Sequence, residues 1–119
     1  MSRILVVDDE PAQRSLLRRI LERAGHEVSD VGDGAAALQA VRKSPPDLVV
    51  TDMMMPVMGG AELIRQLRCD PATAGIPILA ASGDSHLAVG ADAVVAKPYS
   101  WGYLVEVADA LLREGRDLR

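Results

Sequence analysis

Asp8 and Asp9 follow the aliphatic run Ile4–Val7. Asp52 follows Leu48–Thr51, Ser82 follows Ile76–Ala81, and Lys97 follows Ala93–Ala96. Each of these polar residues ends a short apolar run. Three carboxylates brought within a few ångströms of one another repel and resist joint ionisation. A divalent cation resolves that conflict. An all-oxygen donor set favours Mg²⁺, which keeps several waters and often takes phosphate oxygens as further ligands. An ammonium beside such a cation points to an anionic visitor, and cation, lysine and hydroxyl together describe a phosphoryl-transfer site. Singly, each residue has a plainer reading. The acid pair is a solvated helix start, Asp52 a loop cap and Ser82 a turn hydroxyl, and Lys97 a side chain snorkelling from a strand end. The joint reading therefore requires a fold that carries all five to one edge.

The apolar patterning predicts such a fold. Ile4–Val7 is continuous rather than alternating, as expected of a strand covered on both faces. Pro11 suits the first turn of a helix, along which Leu16, Leu17, Ile20, Leu21 and Ala24 recur at helical spacing, with Gly25 as its C-cap. His26–Val31 reads as a second strand. Asp33 caps a helix over Gly34–Lys43, which Ser44-Pro45-Pro46 stops. Leu48–Thr51 is a third strand. Residues 53–60 are a loop rich in Met, and Ala61–Arg68 a helix ended by Asp70-Pro71. Ile76–Ala81 and Ala93–Ala96 are further strands, and a last helix runs from about Ser100 to Arg113. Alternation of strand and helix implies a parallel sheet between helices, a three-layer α/β sandwich. In open sheets of this kind, sites form beyond the carboxyl ends of the strands, where all five residues fall.

Composition narrows the partners. The chain has 119 residues, 49% hydrophobic and 25% charged, as in a folded globular domain; we read residues 1–119 as one domain. No apolar run approaches the ~20 residues of a membrane span, and no signal peptide is visible, so the expected location is the cytoplasm. The formal net charge of -4 argues against direct nucleic-acid binding, which needs clustered Lys and Arg. Aromatics are confined to Tyr99, Trp101 and Tyr103, too few for a base-stacking platform. The single cysteine, Cys69, excludes an internal disulfide and a multi-cysteine zinc site. Eleven of the thirteen basic residues are Arg, so a lysine at position 97 calls for a reason. His26 and His86 read as non-catalytic, Met53–Met58 as loop packing, and Trp101 and Tyr103 equally as packing or as partner contacts.

Several motifs, in order, resemble the receiver domain of bacterial two-component response regulators. They are Val6-Val7-Asp8-Asp9-Glu10, then Asp52-Met53-Met54-Met55-Pro56-Val57-Met58-Gly59-Gly60, then Ser82, Gly90-Ala91-Asp92 and Lys97-Pro98-Tyr99. The resemblance implies a doubly wound, flavodoxin-like sheet of order 2-1-3-4-5. It implies Asp52 as phosphoacceptor from a phosphohistidine of a sensor histidine kinase or phosphotransfer protein. Asp9 would be a direct Mg²⁺ ligand and Asp8 would act largely through water, with Asp52 and the backbone carbonyl of Met54 completing the protein ligands. Ser82 would bond the phosphoryl oxygens, Lys97 would pair with Asp52 and then with the phosphoryl group, and Pro98 would follow a cis peptide. Such a domain promotes its own phosphorylation and dephosphorylation but turns over no separate substrate. It passes the signal to a downstream protein that the sequence does not name.

Three departures from that family stand out. Gly59 occupies the place of a small polar helix cap, which predicts a looser start to the third helix. Only Gly83–Asp92, ten residues, separate Ser82 from the fifth strand. That is short of the family's helical crossover by roughly two turns, so at most one turn, over Ser85–Val89, is expected. Val94 stands where the family commonly has an aromatic that reports phosphorylation. The alternatives are a scaffold-like receiver that acts without phosphorylation, or a Mg²⁺-dependent phosphohydrolase. The hydrolase is disfavoured because methionines, not a second acid, follow Asp52.

Overall fold

Continuous aliphatic runs make strands buried on both faces. In the computed structural model, which describes residues 2–83 and 88–115, β1 (Arg3–Val7), β3 (Leu48–Asp52) and β4 (Ile78–Ser82) are buried along nearly their whole length. Between and beyond them lie α1 (Pro11–Arg23), β2 (Glu27–Val31), α2 (Gly34–Lys43), α3 (Gly60–Cys69), β5 (Ala93–Ala96) and α4 (Trp101–Glu114). The five strands form one parallel sheet of order β2-β1-β3-β4-β5, as the resemblance implies.

Side-chain alternation splits the core in two. Leu5, Val7, Val49, Ile78 and Ala80 face α2 and α3, where Leu38, Val41, Leu63, Ile64 and Leu67 cover them. Ile4, Val6, Val50, Leu79 and Val95 face α1 and α4, beneath Leu17, Leu21, Leu104 and Ala108. Each fully buried Leu or Ile contributes about 1.5–3 kcal/mol relative to exposure, so these two layers fix the register. Val7 lies opposite Thr51, Asp52 opposite Ala81, and Ser82 opposite Ala96. The ends of β1, β3, β4 and β5 are therefore level.

Helix ends follow their chemistry. Asp33 Oδ1 accepts the Ala36 N–H at 2.8 Å, and the Ser100 hydroxyl accepts the Tyr103 N–H at 3.1 Å. Gly25, just past α1, has φ +99°, which suits glycine. Gly59 supplies no side-chain cap to α3, as expected. β1 starts one residue earlier, and β3 and β4 end one residue later, than the apolar runs predict, while two strand starts move inward. β4 begins at Ile78 rather than Ile76, because Pro77 has no N–H for the ladder and the Ile76 N–H closes a turn on Thr73 O at 3.1 Å. β2 begins at Glu27 because the His26 N–H returns to Leu21 O at the end of α1.

Between β4 and β5, none of the described residues (Gly83 and residues 88–92) is helical. Ser85, His86 and Leu87, part of the expected turn, lie outside the described residues. Side chains hold the described part of the crossover. Ala88 enters the α2–α3 core layer. Arg68 of α3 donates to Gly90 O at 3.0 Å, to Ala74 O at 2.8 Å and to Ile76 O at 2.7 Å. Its guanidinium also pairs with Asp92 at 2.6 Å, and Asp92 accepts the Ile78 N–H at 2.8 Å. Val94 is half-buried against the same layer.

Candidate functional site

The level strand ends bring the acidic residues together. One carboxylate oxygen from each of Asp8, Asp9 and Asp52 lies within 4.8 Å of the other two. Asp8 is 3% and Asp52 9% exposed, while Asp9 stands at the rim. Asp8 sits on the end of β1, its backbone N–H on Val31 O at 3.2 Å and its carbonyl accepting Arg14 Nη1 at 3.0 Å. Its Oδ1 accepts the Glu10 N–H at 2.9 Å. Burial pushes the Asp8 carboxyl above its ordinary value. The Glu10 N–H opposes that shift, and the charges of Asp52 and Asp9 add to it.

Lys97 closes the site from the end of β5, its Nζ on Asp52 Oδ1 at 2.7 Å. Burial alone would lower the ammonium, but the hydrogen bond and charge of Asp52 outweigh it, so Lys97 is held above its ordinary value. Asp52 Oδ1 also accepts the Met53 N–H at 2.9 Å. Asp52 Oδ2 accepts no hydrogen bond among the described residues and is the oxygen left with lone pairs to spend. Ser82, 3% exposed, ends the neighbouring strand, and its carbonyl accepts the Lys97 N–H at 3.0 Å. Met54 lies on the β3–α3 loop, 70% exposed. The Lys97–Pro98 peptide is cis. His26 is remote from the acids, its Nε2 2.8 Å from Asp109 Oδ1. Cys69 is exposed.

The β3–α3 loop is drawn tight against Asp52. A Cβ on Gly60 would stand 2.6 Å from Asp52 O and 2.8 Å from Met53 Cα, so only glycine lets α3 start this close to the acid. Val57 takes φ +68°, a left-handed conformation costly for a β-branched residue.

The donor set fits Mg²⁺. It is all oxygen, and three carboxylate oxygens within 4.8 Å of one another are a charge concentration that a cation would relieve. The surrounding pocket, about 560 Å³, is lined by Asp8, Asp52 and Lys97 and also by Glu10, Gln13, Tyr99 and Trp101. Sequence reasoning did not bring Gln13 to this site. Tyr99 was seen only as part of a motif, and its hydroxyl accepts Gln13 Nε2 at 3.2 Å.

An open parallel α/β sheet with three acids and a lysine at its carboxyl edge defines a class, and comparison with known proteins places the chain within it. Residues 4–109 match the response regulator receiver domain, and the chain belongs to that family. It is 42% identical over 122 residues to the DNA-binding response regulator MtrA of Mycolicibacterium smegmatis, covering 97% of this chain and 52% of that protein. The chain thus spans about half the length of the curated relatives it matches. Among solved structures, the receiver domain of a signal transduction histidine kinase from Syntrophus aciditrophicus superposes with a TM-score of 0.89 at 32% identity, covering 95% of this chain and 91% of that one. The chemotaxis response regulator CheY4 of Vibrio cholerae superposes at 0.86 with 30% identity, over 93% and 98% of the two chains. The chain is a receiver domain of the two-component response-regulator family. No helix among the described residues is long and apolar enough to cross a membrane.

Proposed function

We propose that residues 1–119 form one receiver domain that accepts a phosphoryl group on Asp52 from a phosphohistidine of a sensor kinase or phosphotransfer protein. One observation carries the reading: the Lys97 ammonium lies 2.7 Å from Asp52, beside two further carboxylates just past the end of β1. Asp52 Oδ2 attacks phosphorus, the new P–O bond forms as the P–N bond breaks, and the electron pair leaves on the imidazole nitrogen. Lys97 meets the charge on the transferring group. Ser82 donates its hydroxyl to a phosphoryl oxygen. Asp9, Asp8, Asp52 and the Met54 carbonyl would hold Mg²⁺, which supplies charge neutralisation and polarises the phosphoryl oxygens when bound. The acyl phosphate is labile, which suits a transient signal, and no separate substrate is turned over. The -4 net charge supports a protein rather than a nucleic acid as the direct contact of this segment, whatever follows it in longer relatives.

Intact mass after incubation with phosphoramidate, with and without Mg²⁺, tests this. One Mg²⁺-dependent phosphoryl group is expected on the parent and none on Asp52→Asn, which keeps the shape and loses the nucleophile. Labelling of the Asn variant at the parental rate would exclude Asp52.

A further inference from the structure

Lys97 carries the pocket's cation just past a short edge strand. β5 is a sheet edge, pairing with β4 alone. It has four residues, and the described part of its crossover contains no helix. The Lys97 N–H on Ser82 O ties the start of the turn that follows. Beyond it, the Tyr99 ring packs on the core layer under α1 and α4, edge-on to Trp101 with centroids 5.4 Å apart. The Tyr99 hydroxyl accepts Gln13 Nε2 at 3.2 Å. Among the described residues this is the one side-chain hydrogen bond joining α1 to the turn of residues 97–101.

We propose that Tyr99, held by Gln13, is a positioning residue for phosphoryl transfer: it anchors the 97–99 turn to α1 and so keeps the Lys97 ammonium on Asp52. The inference rests on Asp52 being the phosphoryl acceptor. A lysine is a point charge on a flexible stem, so the region its Nζ occupies is set by where the backbone holds that stem. Ring packing brings Tyr99 near α1 without fixing its angle. A directional hydrogen bond fixes the turn against the helix. The ammonium must serve Asp52 Oδ1 before transfer and phosphoryl oxygens during it, and small displacements of such a group cost rate steeply. If the ring were plain packing, phenylalanine would do as well.

The test uses Tyr99→Phe, Gln13→Ala and the double variant in the full chain. It compares the initial rate of labelling by phosphoramidate with Mg²⁺ affinity, read from the emission of Trp101, the one tryptophan. Each single variant should slow labelling about fivefold, the scale of one neutral hydrogen bond, with Mg²⁺ affinity unchanged. The double variant should be no slower than either, because the two residues share one bond. Parental labelling by Tyr99→Phe overturns the inference. So do losses that add in the double variant, or a rate loss matched by an equal loss of Mg²⁺ affinity. A parent that takes no label overturns the reading of Asp52 as well, whereas a labelled parent confines any failure to Tyr99.

Discussion

Asp8 carries its charge at a cost. It is 3% exposed and shares its pocket with two other acids. Its carboxyl therefore keeps a proton to higher pH in the folded chain than in the unfolded one. The folded state then binds more protons, and ionising Asp8 costs stability as pH rises from the ordinary value of 3.8 through the raised one. Asp8→Asn removes that cost, and its amide oxygen can still accept the Glu10 N–H. At neutral pH without Mg²⁺, the variant should melt about 4 °C above the parent, the shift that ~1 kcal/mol gives a domain of this size. The gap should narrow as pH falls, because the parent's Asp8 is then neutral too. Glu62 behaves in the opposite sense. Its hydrogen bonds with Arg65 and Gln66 hold it down to about 2, so what it contributes is lost on acidification. It is common to both proteins and cancels in the difference. Paired thermal melts from pH 7 to pH 4 read the outcome; a gap that stays constant or widens on acidification contradicts this assignment of the strain.

Arg68 does at the level of the element what a helix does elsewhere in this sheet. It joins α3 to the loop before β4 and to the loop before β5 through three carbonyls and the Asp92 carboxylate. The Arg68 and Asp92 side chains are 14% and 13% exposed, so the pair is shielded from water. Arg68→Ala takes the guanidinium from a largely shielded carboxylate and from three carbonyls, and should cost about 3 kcal/mol, the usual scale when one partner of a buried pair is removed. Asp92→Asn keeps the Ile78 N–H acceptor and should cost clearly less. Urea unfolding of both variants checks the order, and equal costs would mean that the carboxylate charge carries the whole effect. This network was not legible in the sequence, because nothing in the spacing of Arg68 and Asp92 foretells their meeting. The strands and the caps were legible, since continuous apolar runs and Asp33 act locally. The five residues at the strand ends were legible for a related reason: a parallel sheet sends every strand's carboxyl end to one edge. Val57 at φ +68° gave no signal, because a β-branched residue is a poor candidate for that conformation.

At the scale of the whole molecule, the two faces of the sheet are covered unequally. The α1–α4 face reaches β5 through Val95, Leu104 and Ala108. On the opposite face, Ala91 and Val94 are only partly buried, and Val89 is 81% exposed. The short crossover explains the difference. A parallel connection ordinarily takes a dozen or more residues and a helix, and here ten must suffice. Among the described residues, the crossover adds no helix to this face beside α4. Phosphorylation of Asp52 would then act through groups that touch the pocket: the β3–α3 loop, Ser82, and the turn from Lys97 to Trp101. Beryllofluoride, which mimics the phosphoryl group, should accordingly leave the chain monomeric by sedimentation velocity across micromolar concentrations. Backbone NMR shifts should concentrate at residues 53–60 and 97–103, with Trp101 reporting through its indole N–H. A beryllofluoride-dependent dimer whose shifts map to residues 88–95 would mean that this thinly covered face carries association after all.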